Sequence, residues 1–107
     1  MHKTDKKAIV RYRDKTENIA CPYGQVERIV TGGEGGIANV HVVTVSEGKK
    51  HYHNSYDEVY YILSGKGTIN LAQETHSLLP GAVVIIPAGG SHSLKAAPGG
   101  KLEVIIF

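Results

Sequence analysis

The chain has 107 residues, 41% of them apolar and 21% charged, with a net charge of +2. That length and balance suit one globular domain and exclude a disordered chain, and no apolar run reaches the ~18 residues that a membrane-crossing helix needs. The charge is unevenly placed: Lys3, Lys6, Lys7, Arg11, Arg13 and Lys15 crowd the opening of the chain beside Asp5, Asp14 and Glu17, and the remainder is close to neutral. Only Tyr12 lies among those cations to stack on a base, so the segment reads as a solvated basic arm rather than a nucleic-acid-binding one. The opening carries no apolar stretch of the kind that directs secretion. A single cysteine, Cys21, can form no internal disulfide. A cytoplasmic location is therefore expected.

In chain order, the first predicted strand covers 8–12, within the arm. Strands 25–30 and 38–45 follow, separated by Gly32-Gly33-Glu34-Gly35-Gly36. That run lacks the Gly-Lys-Ser/Thr of a phosphate loop and reads as a flexible turn. After the Glu47-Gly48 turn come strands 50–53, 58–63 and 67–71, with Ser64-Gly65 between the last two. Strand 74–78 precedes Pro80-Gly81, strand 82–86 precedes Ala88-Gly89-Gly90, strand 91–96 precedes Pro98-Gly99-Gly100, and strand 101–107 closes the chain. These runs are rich in Val, Ile, Thr and Tyr, which fit a pleated surface. No window long enough for a helix keeps a 3.6-residue apolar period without a breaker. Short strands with turn signals at this spacing predict an all-β sandwich or barrel, with an arm over 1–17 and a single barrel domain over 18–107. Within 82–86, Val83 and Ile85 share one face and Ala82, Val84 and Ile86 the other; either set could be the inner one.

The chemistry concentrates in the histidines, six in all. His51 and His53 stand two apart, so on a strand both imidazoles project from one face. Glu58 follows across the polar stretch Asn54-Ser55-Tyr56-Asp57, which can turn and bring the carboxylate back to the two rings. His92 lies beyond the turn Pro87-Ala88-Gly89-Gly90 and can add a fourth donor. Three imidazoles and a carboxylate form a borderline-soft nitrogen and oxygen set. It suits one divalent transition metal (Fe, Mn, Zn, Ni, Co or Cu) better than Mg or Ca.

These residues resemble the cupin superfamily, in particular its small single-domain members. The first motif of that family is His-x-His, three or four residues, Glu, six residues and Gly; His51-Tyr52-His53, Glu58 and Gly65 match it. The second is Gly, five residues, Pro-x-Gly, two residues and His; Gly81, Pro87-Ala88-Gly89 and His92 match it, with fifteen residues between Gly65 and Gly81. The two motifs span 48–65 and 81–96. Two positions depart from the family pattern, Val45 where a glycine is frequent and Ala96 where an asparagine is frequent; neither is a ligand position. The resemblance implies a cupin β-barrel, also described as a double-stranded β-helix of jelly-roll type. It implies a metal held in the lumen by His51, His53, Glu58 and His92, and a homodimer formed through an exchanged N-terminal strand.

Strand alternation then assigns other residues. If Glu58 points inward, so do Tyr60 and Ile62, while Val59, Tyr61 and Leu63 face outward. Tyr60 is a candidate catalytic or substrate-contacting residue, or else a core aromatic. His41, on an apolar strand, is a candidate acid or base, or else a structural histidine. Tyr56 sits where the barrel mouth would be, His76 reads as solvent-facing, and Cys21 has no base nearby in sequence to make it a nucleophile. The functional expectation is a metal-dependent enzyme on a small organic substrate, with dioxygenase, isomerase and lyase chemistries all open. The alternative is a non-catalytic barrel that binds a sugar or carboxylate.

Overall fold

The structure, a computed structural model, describes residues 8–21, 23–31, 39–46 and 55–107. Among these residues a single 3-10 turn, Arg13–Lys15, precedes nine strands: β1 (Asn18–Cys21), β2 (Gly24–Val30), β3 (Val40–Val45), β4 (Glu58–Ser64), β5 (Gly67–Leu71), β6 (Glu74–Leu78), β7 (Val83–Ile86), β8 (His92–Ala96) and β9 (Leu102–Ile106). They form a six-stranded sheet in the order β1-β2-β3-β9-β4-β7 and a three-stranded sheet in the order β6-β5-β8. Every ladder is antiparallel. The fold is the all-β barrel that the sequence predicts.

Period-2 alternation builds the core. Val43 and Val45 of β3, Tyr60 and Ile62 of β4, and Leu102 and Val104 of β9 turn inward from the large sheet. Ile69 of β5 and Leu94 and Ala96 of β8 meet them from the small one. Each fully buried aliphatic contributes about 1.5–3 kcal/mol relative to exposure. The inner set of β7 is also resolved: Ile86 is 2% exposed, whereas Val83 is 58% and Ile85 70% exposed. Val83 and Ile85 lie on the outer face of an edge strand.

Three departures from the sequence reading have physical causes. The predicted strand 8–12 is irregular, and the arm is held by its cations instead. Arg11 donates to the Ile29 carbonyl at 2.9 Å, and the Arg13 guanidinium bridges Glu27, at 2.8 and 3.1 Å, and Glu103. Both carboxylates project from the outer face, opposite the core residues Val26 and Val104. Strand β1 carries no strong pattern in the sequence because it is short and half-exposed; its register with β2, Cys21 opposite Gly24, makes it a hairpin arm. Leu71 pairs with Glu74, so Ala72 and Gln73 form a two-residue turn with no glycine, and Ala72 takes φ 55°. The other predicted strands hold to within a residue or two at their ends. Predicted strand 50–53, the turns at Gly32–Gly36 and Glu47-Gly48, and the arm residues 1–7 lie outside the described residues.

Candidate functional site

Strand β4 delivers Glu58, Tyr60 and Ile62 to the interior in succession, at 8%, 2% and 0% exposure. It is fixed on both sides, with Tyr60 opposite Val84 of β7 and Ile106 of β9. His92, 1% exposed, enters from β8 in the facing sheet. Its approach is set by the turn Pro87-Ala88-Gly89-Gly90, which closes with Gly90 N–H donating to the Pro87 carbonyl at 2.9 Å. The left-handed third position of that turn is Gly89, φ 80°, as a type II turn requires. The Asp57 carboxylate accepts the Ala88 N–H at 2.8 Å, tying the residue before Glu58 to the turn before His92. The two motifs are thus held to each other by a backbone-to-side-chain bond.

Three polar atoms converge between the sheets. The Tyr60 hydroxyl is 3.0 Å from His92 Nε2 and 3.4 Å from Glu58 Oε1, and Glu58 Oε1 is 3.7 Å from His92 Nε2. The Tyr60 and His92 rings meet edge to face, centroids 5.8 Å apart. His92 Nδ1 lies 3.1 Å from the Gly90 carbonyl; a carbonyl only accepts, so Nδ1–H donates to it. Burial, and then the charge of Glu58, push the Tyr60 hydroxyl up from its ordinary value, so it is a neutral phenol here.

Glu58 also lines a cavity of about 240 Å³, with Asn39, His41, Tyr56, Asp57, Ile106 and Phe107. His41 faces it from β3, in the same cross-sheet row as Ile106 and Tyr60. Its Nε2 is buried and has no hydrogen-bond partner among the described residues. Burial, and then the charge of Arg28 opposite it on β2, hold the His41 imidazole below its ordinary value. Tyr56 stands at the cavity rim, exposed.

Of the sequence-predicted site, Glu58, Tyr60 and His92 come together, and His41 shares the cavity with Glu58. His51 and His53 lie outside the described residues. Among the described residues no three His, Cys, Asp or Glu side chains form a cluster. Glu58 and His92 nonetheless fit the divalent metal that the motif resemblance implies: both are buried, their polar atoms face each other between the sheets, and His92 has the Nδ1–H partner that a metal-bound imidazole needs. His76 is exposed and bonds to Glu74 at 2.9 Å. Tyr23, buried and close enough to act electrostatically on Tyr60, was missed. It precedes Gly24, whose φ of 148° interrupts the alternation that would have assigned it a face.

Comparison with known proteins extends this picture. Residues 38–107 match the family model for the cupin domain. L-ectoine synthase of Marinomonas sp. (strain MWYL1) is 30% identical over 100 residues, covering 86% of this chain and 77% of that protein. An uncharacterized protein of Streptomyces coelicolor is 35% identical over 54 residues; the match spans about half of either chain (50% and 51%). Among solved structures, a protein from Planctomyces limnophilus superposes with a TM-score of 0.80 at 22% identity, covering 95% of this chain and 89% of its own. Fe(II)-HppE with an alternative substrate gives a TM-score of 0.81 at 17% identity, covering 97% of this chain and 61% of its own. At these identities the structural likeness is one of fold.

Proposed function

The chain belongs to the cupin family, and from that premise we propose that it is a metal-dependent enzyme acting on a small organic substrate. In this reading His51, His53, Glu58 and His92 hold one divalent transition metal. The observation that carries it is the buried convergence of Glu58 and His92, from opposite sheets, at the edge of a cavity. When bound, such a metal polarises oxygen atoms of the substrate.

The chain's own residues supply the rest. Glu58 belongs both to the donor cluster and to the cavity wall, so it meets the substrate where the metal does. His41, held below its ordinary value by burial and Arg28, shares the cavity wall with Glu58 and is the acid or base assigned to it. Asn39 and Tyr56 give the substrate polar contacts at the rim, and Phe107 covers an apolar part. The relative named as a synthase supports an enzyme over a binding module; the reaction type stays at the level of dioxygenase, isomerase or lyase.

Residues 1–17 are read as an arm on a barrel of 18–107, and the working form as a cytoplasmic homodimer. The exposed apolar side chains of Tyr61, Val83, Ile85 and Phe107 support a second copy as partner. Among the described residues no helix is long and apolar enough to cross a membrane.

The test is elemental analysis of protein purified without a metal-affinity column. Near one equivalent of Fe, Mn, Zn, Ni, Co or Cu per chain is expected. No metal, with none taken up on reconstitution, would refute the reading in favour of a non-catalytic barrel for a sugar or carboxylate.

A further inference from the structure

We propose that the small sheet carries a second binding site, a pocket for an organic phosphate that shares no residue with the site around Glu58 and His92. A cavity of about 390 Å³ lies there, with Lys66, Thr68, Ser77 and Lys95 in its lining. That volume falls within the ~300–1,000 Å³ of small-molecule sites. Lys95 is three residues along β8 from His92, about 10 Å at ~3.3 Å per residue, and alternation puts the two on opposite faces of the strand.

The sheet register assembles the donors. Ile69 and Leu94, each fully buried, turn inward, so their neighbours Thr68 and Lys95 turn outward. Thr68 pairs with Ser77 of β6 on one side and with Lys95 of β8 on the other, which sets two hydroxyls and an ammonium in one cross-strand row. Lys66 joins them from the β4–β5 turn, where its carbonyl accepts the Ala97 N–H at 2.8 Å. The adjacent row shows the contrast. There Thr75 Oγ1 donates to Asn70 Oδ1 at 2.6 Å and Asn70 Nδ2 donates to Ser93 Oγ at 3.5 Å, so that row is closed on itself. Among the described residues no such bond ties Thr68 to Ser77 or to Lys95.

Charge then selects the ligand. No carboxylate lines the cavity, and among the described residues neither lysine has an acidic partner. Glu27 and Glu103 are engaged by Arg13, Glu74 by His76, and Asp57 by the Ala88 N–H. The pocket therefore offers two positive charges and two hydroxyl donors to one occupant. A phosphate monoester brings close to two negative charges and three acceptor oxygens, and lysine serves such groups as a point charge. A carboxylate would match one ammonium and leave the other. The lining also includes Leu79 and Pro98, both exposed, and these give an apolar organic body a surface to cover.

The experiment titrates the full chain, loaded with Zn²⁺, with phenyl phosphate and with inorganic phosphate, and follows backbone amide shifts by ¹⁵N NMR. Phenyl phosphate is expected to shift the amides of Thr68, Ser77 and Lys95. It should bind about ten-fold more tightly than inorganic phosphate, because only the ester has a body to cover Leu79. Lys66→Gln and Lys95→Gln should each weaken binding about five- to ten-fold. Lys101→Gln, on the next turn and outside the lining, should leave it within about two-fold. All three lysines are exposed, so the variants keep the fold. Shifts centred on Glu58 and His92 instead would put the anion at the metal centre and overturn the pocket. Equal losses in the three lysine variants would overturn it as well, since they mark a diffuse basic surface. Inorganic phosphate binding as tightly as the ester, or neither anion binding, would have the same consequence.

Discussion

Gly65 and Gly81 end the first motif and begin the second, and both hold a left-handed backbone, φ 88° and 93°. Their surroundings differ. A Cβ built on Gly65 would overlap the Lys101 carbonyl oxygen and sit 3.1 Å from Leu102 Cα, whereas one on Gly81 meets nothing within 4 Å. Alanine at either position costs about 1–2 kcal/mol for the left-handed conformation, offset by about 0.4–1 kcal/mol through the stiffer unfolded chain. Gly81→Ala should therefore lose about 1 kcal/mol, a fall in Tm of roughly 4–8 °C for a domain of this size. Gly65→Ala must also push β9 away from β4, which adds about 1–3 kcal/mol by analogy with overpacked cores. The expected loss is about 2–4 kcal/mol. Urea denaturation with unchanged slope measures both. Losses equal to within about 0.5 kcal/mol would refute the reasoning, because the close approach of Lys101 would then carry no energy. Metal uptake by folded Gly65→Ala should match the wild type, since Gly65 lies at the far end of β4, about 23 Å along the strand from Glu58 at ~3.3 Å per residue.

Two further outcomes follow from the turns and the arm. Ala72→Gly should raise stability by about 0.5–1 kcal/mol in the same denaturation assay, because φ 55° at the first position of a two-residue hairpin turn suits glycine; an unchanged midpoint would contradict it. Hydrogen bonds from Arg13, and then from Ser64, hold the Glu103 carboxyl below its ordinary value. That contribution is present above the unfolded carboxyl value of 4.5 and is lost as pH falls through the lower folded one. Arg13→Gln should therefore cost about 0.5–1 kcal/mol at neutral pH, the scale of half-exposed ion pairs, and flatten the acid limb of the stability profile. An acid limb identical to the wild type would sink the bridge.

The parts of the fold that were legible in the sequence are those governed by alternation and by glycine. Glu58-Val59-Tyr60-Tyr61-Ile62 could be divided into faces because a strand has a period of two and a charged residue amid apolar ones marks which face is special. The turns at Leu79-Pro80-Gly81-Ala82 and Ala97-Pro98-Gly99-Gly100 were legible because each pairs proline with a residue that must turn left-handed. The turn at Ala72-Gln73 was not, since it takes the same backbone without the residue that advertises it. Nor was the inner face of β7: Val83, Val84, Ile85 and Ile86 are all apolar, so only the position of the strand at a sheet edge decides which pair is wetted. The arm misled for a different reason. Ala8–Tyr12 has the composition of a strand, but Arg11 and Arg13 find the Ile29 carbonyl and two carboxylates on the outer face, and sequence does not reveal partners 14 and 90 positions away.

The same contrast explains the chemistry of the site. Glu58 and His92 are the polar residues most expensive to bury in this barrel, and each is buried against the other sheet rather than in a loop. Mutual hydrogen bonding through the Tyr60 hydroxyl offsets part of that cost. Apolar residues of similar volume at the three positions would give a more stable barrel, and the same row continues into Ile106 and Val84, which are apolar. A polar triad set into an otherwise apolar core, with the turn before His92 fixed, costs stability that packing alone does not need. What it provides is a rigid, nearly water-free set of donors beside a cavity, and that is the arrangement a bound cation stabilises.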